Sequence, residues 1–200
     1  MTAAVEANHH ESGSSSDYLD RLMRRNCFEA LWPLFAKAQR PAKELTESYC
    51  ALVHLRPFLQ PAQECRVLHV GDGAHARTAA MFSLKTRAHN ISIDPLLNLP
   101  LVGRWRERFG IARMELIKGR IQEVASELNA LPAARTLVTF VHAHVPVEEV
   151  LDQLRWDVAF TLACCLPGKQ LSRAHVRSEG EDANVLSSGR QYQVLVKERG

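Results

Sequence analysis

The chain has 200 residues, of which 46% are hydrophobic and 24% charged, so one domain can bury a sizeable core and no second domain is needed. A formal net charge of +3 and a pI near 8.7 permit a nucleic-acid partner without demanding one. Five cysteines (Cys27, Cys50, Cys65, Cys164, Cys165) follow no secreted-scaffold spacing, no apolar signal segment opens the chain, and no apolar run is long enough to span a bilayer. The expectation is an intracellular, cytoplasmic protein with no membrane partner.

Residues 1–16, with Glu6, Glu11, His9-His10 and a Gly-Ser run, read as a disordered tail. Over 17–39, Tyr18, Leu19, Leu22, Met23, Phe28, Leu31, Leu34 and Phe35 recur at helical spacing, which predicts an amphipathic region bent near Pro33. Pro41 opens another helix, in which Leu45, Tyr49, Leu52 and Val53 share a face before Pro57 stops it. These helices form a preface over 17–64, placed to lean on the remainder of the domain.

From 65 to 200 the pattern alternates. Strands are predicted over 66–70, 90–93, 114–117, 136–141 and 157–162, with helices over 77–86, 102–109, 121–128 and 147–154 between them. Such alternation gives an α/β fold, a doubly wound and mostly parallel sheet with both faces covered. A last alternating run, 191–197, reads as an antiparallel strand closing the sheet at its edge.

The most informative segment is Val67-Leu68-His69-Val70-Gly71-Asp72-Gly73 with Asp94 further on. Gly71 and Gly73 remove two Cβ atoms where the backbone must turn sharply and let a ligand approach, and the next helix presents its free N–H groups there. Asp94 ends the second strand about 20 residues on, where a carboxylate can accept from ribose hydroxyls. Strand, glycine turn, helix, strand and terminal acid together point to a nucleoside-type cofactor.

This segment resembles the first motif of the class I S-adenosylmethionine-dependent methyltransferases, and the resemblance covers most of 65–200. It implies S-adenosylmethionine as cofactor, with Gly71, Asp72, Gly73 and Asp94 as binding residues. Val141-His142-Ala143-His144 and the later Phe160-Thr161-Leu162-Ala163-Cys164-Cys165 resemble a narrower group with Leu-His-Ala-Cys and Cys-Cys at the corresponding strand ends, some of whose relatives modify tRNA. Three positions depart from the family pattern. His69 stands for an acid and His75 for a third glycine. Arg120, also assigned to the cofactor site, puts an obligate donor where relatives carry an aspartate that contacts adenine.

In a doubly wound sheet the ends of the first, fourth and fifth strands share one crevice. His69, His75, His142, His144, Cys164 and Cys165 should therefore converge there. In one reading His142 or His144 is catalytic, a proton acceptor beside a substrate hydroxyl. In another these residues bind zinc, but His-x-His and adjacent Cys-Cys are not standard zinc spacings, and no metal is assigned. In the third, the cysteines are small buried residues and the histidines are satisfied by backbone groups.

Arg104, Arg106, Arg108, Arg113, Lys118 and Arg120 form a basic stretch with Trp105 and Trp156 nearby, and Lys169, Arg173 and Arg177 come after the fifth strand. They suit an RNA-facing surface, although a solvated helix face with core tryptophans is the favoured reading. Two functions are compatible with this pattern: a methyltransferase acting on RNA, or a catalytically silent methyltransferase-like module that binds a protein or RNA partner. An NAD-type oxidoreductase fits less well, because that fingerprint's third glycine is missing.

Overall fold

The computed structural model describes residues 16–59, 64–162 and 175–197; the expected tail up to residue 15 lies outside them. Three helices come first, α1 (Asp17–Met23), α2 (Cys27–Phe35) and α3 (Pro41–Leu55). Where one helix bent near Pro33 is predicted, the chain breaks earlier, at Arg24, Arg25 and Asn26. Three polar residues interrupt the apolar stripe there, and Pro33 sits inside α2, which ends at Phe35.

The alternating part runs β1 (Cys65–Val70), α4 (Arg77–Lys85), β2 (His89–Ile93), α5 (Leu99–Arg108), β3 (Met114–Ile117), α6 (Ile121–Ala130), β4 (Arg135–Val141), α7 (Val147–Gln153) and β5 (Val158–Leu162). Helix α5 begins before the predicted 102 because the Asn98 side chain accepts the Leu101 N–H and Pro100 suits the first turn. Two further strands, β6 (Val176–Glu181) and β7 (Gln191–Val196), complete a seven-stranded sheet in the order β3-β2-β1-β4-β5-β7-β6.

The first five strands are parallel. The last predicted strand is antiparallel to β5 as expected, but it does not close the sheet: β6 pairs on its outer side. Hydropathy gives β6 no signal, since five of its six residues are exposed and only Val176 is apolar.

β1 is buried along its whole length, as a central parallel strand must be. Its side chains alternate between two cores. Val67 joins the cluster under α1 to α5 with Phe35, Phe82 and Phe160, while Leu68 and Val70 join Ile121, Leu128, Val150 and Leu151 under α6 and α7. Leu68 sits between Ile91 of β2 and Val138 of β4. Burying a side chain such as Phe82 contributes about 1.5–3 kcal/mol.

The helical preface is tied to the end of the chain. Asp182, in the β6–β7 turn, accepts from the Tyr18 hydroxyl of α1 and, on the same oxygen, from Cys50 Sγ (3.4 Å) and His54 Nε2 (3.1 Å) of α3. Ser16 donates to the Asn184 carbonyl, and the Leu186 N–H donates to Thr46 Oγ1 at 3.0 Å. No helix among the described residues is long and apolar enough to cross a membrane.

Candidate active site

The turn after β1 needs its glycines for different reasons. Both Gly71 (φ +69°) and Gly73 (φ +70°) adopt the left-handed conformation. A Cβ on Gly71 would stand 2.8 Å from Ala143 Cβ, so the β1 turn packs directly on the loop after β4. A Cβ on Gly73 would meet nothing within 4 Å. Open space lies over the second glycine.

Two carboxylates organise this turn. Asp94, 7% exposed after β2, accepts from the Gly73 N–H (2.9 Å) on one oxygen and from the Leu96 N–H (2.7 Å) on the other. Each oxygen keeps a further lone pair. Asp72 accepts from the Thr78 and Ala79 N–H groups (2.8 and 3.0 Å) and from Ser92 Oγ (3.0 Å). It caps α4 from a distance, because the residue at the helix start, Ala76, is left-handed and has no capping side chain. Burial pushes the Asp72 carboxyl up to about 6 even though these hydrogen bonds pull it down. Both its oxygens accept hydrogen bonds within the protein.

His69 faces α4 by the alternation of β1 and is 1% exposed. The Asn90 amide N–H donates to the Ala88 carbonyl, which turns Asn90 Oδ1 toward His69 Nε2 at 3.1 Å. His69 therefore donates from Nε2, and Nδ1 accepts from the Thr139 hydroxyl at 2.9 Å. Burial lowers it to about 4, so it is neutral. It belongs to the core, and the expectation that it lines the crevice does not hold. His75 turns toward the preface, 3.5 Å from an Arg77 nitrogen. Burial, and then the Arg77 and Lys37 charges, lower its pKa. Arg77 in turn donates to the Leu34 carbonyl and pairs with Glu44 of α3.

At the end of β4, His142 is left-handed (φ 52°) and its N–H donates to the Leu162 carbonyl of β5. This aims its ring at α3. Nε2 lies 2.5 Å from Glu47 Oε1, a close contact without directional hydrogen-bond geometry. Glu47 is 1% exposed, and Lys43, one turn earlier, holds the same oxygen at 2.9 Å. His142 Nδ1 is buried with no hydrogen-bond partner among the described residues. His144, two positions on, is exposed.

Of the predicted site residues, Gly71, Asp72, Gly73, Asp94 and His142 thus stand at the carboxyl ends of β1, β2 and β4. Arg120 caps α6 after β3; its N–H is accepted by Glu123 (3.1 Å) and its side chain is exposed. Cys164, Cys165, Lys169 and Arg173 lie outside the described residues. Trp105 and Trp156 are core residues, donating to the Ala30 and Leu151 carbonyls, and so offer no stacking surface to RNA.

Lys43 and Glu47 escape the sequence reading, because a charge on an amphipathic helix reads as its wet face. A signal was nevertheless present. From Leu45 to Leu52 the only charged side chain is Glu47, as on a helix buried all round, and every one of those residues is buried. A cavity of about 740 Å³, with Arg25, Arg56, Lys85 and Arg87 in its wall, opens at the opposite end of the sheet and contains none of the predicted site residues.

No protein-family model and no curated protein matches the sequence. Solved structures do match the fold. The chain is similar to an rRNA methylase from Streptococcus thermophilus (TM-score 0.55, 15% identity, 75% of this chain and 95% of that one). It is similar to a variant of MtNAS in complex with S-adenosylmethionine (TM-score 0.52, 12% identity, 90% and 74%). It is also similar to a cyclopropane-fatty-acyl-phospholipid synthase-like protein from Lactobacillus casei (TM-score 0.50, 10% identity, 72% and 60%). The fold is that of the class I S-adenosylmethionine-dependent methyltransferases.

Proposed function

We propose that the protein transfers a methyl group from S-adenosylmethionine, with RNA as the acceptor class, and that His142 takes up the acceptor's proton. The observation that carries this reading is the pair formed by His142 and the buried Glu47 at the end of β4, beside a glycine turn with open space over Gly73. A carboxylate close to an imidazole stabilises the charge that the ring gains when it takes up a proton, and here the two come from separate parts of the chain. His144 stands on the exposed side of the same loop, where an acceptor enters.

The residues present fit the cofactor. Asp94 keeps lone pairs for ribose hydroxyls, Gly71 and Gly73 give the close backbone approach, and Arg120 offers a donor after β3. S-adenosylmethionine brings an already activated methyl. The protein's task is to align the acceptor, exclude water and receive one proton. RNA is supported by the exposed Arg104, Arg108, Arg113, Lys118 and Arg120 and by the rRNA methylase among the similar folds.

The second reading, a silent module binding a protein or RNA partner, is favoured by one feature: both Asp94 oxygens already serve the protein's own backbone. Calorimetric titration with S-adenosylmethionine and S-adenosylhomocysteine separates the two. Micromolar binding, abolished in Gly73→Asp, supports the enzyme. That variant is informative because aspartate tolerates the left-handed turn and nothing crowds the new Cβ, so the fold survives while the approach is filled. Given binding, His142→Ala should lower methyl transfer into RNA by about 10²–10⁴-fold with cofactor affinity retained. No binding at millimolar ligand would overturn the enzyme reading, favour the silent module and turn the search to partners.

A further inference from the structure

We propose that Cys50, His54 and Asp182 form a metal site for Zn²⁺ or a similar borderline-soft divalent ion, which clamps the helical preface to the last hairpin of the sheet. This site lies away from the glycine turn and is independent of the methyltransferase reading.

The two α3 ligands are one helical turn apart, so their side chains share a face. Asp182 comes from the far end of the chain and is held by its own turn, with its second oxygen accepting the Asn184 N–H at 3.0 Å. Cys50 Sγ, His54 Nε2 and a carboxylate oxygen of Asp182 all lie within 4.8 Å of one another. The carboxylate oxygen is 3.4 Å from the sulfur and 3.1 Å from the nitrogen. A tetrahedral ion with ordinary zinc–sulfur, zinc–nitrogen and zinc–oxygen bonds spaces its ligand atoms about 3.3–3.5 Å apart. Two of the three edges are therefore already close to the length that the ion requires.

The donor chemistry argues the same way. Thiolate, imidazole and carboxylate are the zinc set. Without a cation, a single Asp182 oxygen faces three donors, Tyr18, Cys50 and His54, one more than its two lone pairs suit. An ion would replace the thiol and imidazole protons and leave the Tyr18 hydroxyl as the outer hydrogen bond that orients the carboxylate. The His54 ring is fixed by stacking on Tyr192, with centroids 3.8 Å apart. Its side chain is 21% exposed, which gives an ion a route in and a solvent ligand for the fourth position.

The test is titration of the metal-stripped full chain with Zn²⁺ against a chromophoric chelator, and with Co²⁺ monitored by absorption. One Zn²⁺ per chain at micromolar affinity or tighter is expected, and Co²⁺ should show a thiolate charge-transfer band and tetrahedral ligand-field bands. Cys50→Ser should remove the charge-transfer band, and His54→Gln and Asp182→Asn should each weaken Zn²⁺ binding by roughly 100-fold. If Cys50→Ser does not fold, as judged by near-UV circular dichroism, the partly exposed His54 provides the deciding variant. Affinity unchanged in His54→Gln, a cobalt complex without a thiolate band, or no stoichiometric binding would overturn the site and leave a hydrogen-bonded knot.

Discussion

Asp72 in the glycine turn and Asp182 in the β6–β7 turn are both carboxylates enclosed by donors, but their donors come from different distances along the chain. Asp72 takes two backbone N–H groups six and seven residues away and the hydroxyl of Ser92. Asp182 takes side chains from Tyr18, Cys50 and His54, more than 120 residues earlier. Their proton affinities differ accordingly. Burial pushes Asp72 up to about 6, against its hydrogen bonds. Burial also pushes Asp182 up, but the Tyr18, Asn184, His54 and Cys50 donors outweigh it and hold the carboxyl below its ordinary value. One carboxylate finishes a local turn, whereas the other joins the two ends of the chain.

The largest expected effect tests that contrast. Asp182→Ala strands three side-chain donors and should cost about 4 kcal/mol in urea denaturation, whereas Asp72→Ala loses a helix cap but also a buried charge and should cost about 2 kcal/mol. Equal losses would break the comparison.

A second test exploits His69 and Asp72 together. His69 has a folded value of about 4 against an ordinary 6.5, so it stabilises at neutral pH and that stability is lost as pH falls toward 4. Asp72 has a folded value of about 6 against 3.8, so stability is gained as pH falls through the same window. Each swing is worth about 3 kcal/mol and the signs are opposite, so these two contributions largely cancel between pH 4 and 6. Asp72→Asn should then lose about 3 kcal/mol from pH 7 to 4, and His69→Gln should gain a similar amount over that range. Parallel slopes in both variants would show that the two groups do not act separately.

The smallest effect separates the two glycines. Gly73→Ala bears only the left-handed backbone, about 1 kcal/mol. Gly71→Ala adds the clash with Ala143 and should cost about 2 kcal/mol more. Equal stability loss would mean that the β4 loop moves away from the turn without strain.

Much of the sheet was readable because β1 to β5 are apolar runs bounded by turns, and a parallel sheet buried on both faces imposes that pattern. β6 was not, since an exposed edge strand imposes no pattern. At the site, Gly71 and Gly73 stood out because the left-handed turn dictates their type, and Asp94 because a carboxylate ends the second strand. Glu47 did not, since a lone charge among the uncharged residues of 45–52 hints at burial but not at its partner, which depends on where α3 lies against β4 and β5. The same holds for Asp182. Nothing near it in sequence hints at Tyr18, Cys50 or His54, and the three meet only in the finished fold.

The pairing of Ser16 with Asn184, of Thr46 with Leu186 and of Tyr18 with Asp182 has a consequence for assembly on the ribosome. These contacts join the first described segment to one of the last, so α1 and α3 cannot complete their docking until residue 186 has left the exit tunnel. The cost of closing so long a loop is met late, once β1 to β5 can already pair. Until then the Tyr18 hydroxyl, the Cys50 thiol and the His54 ring lack the carboxylate that they bond in the finished fold.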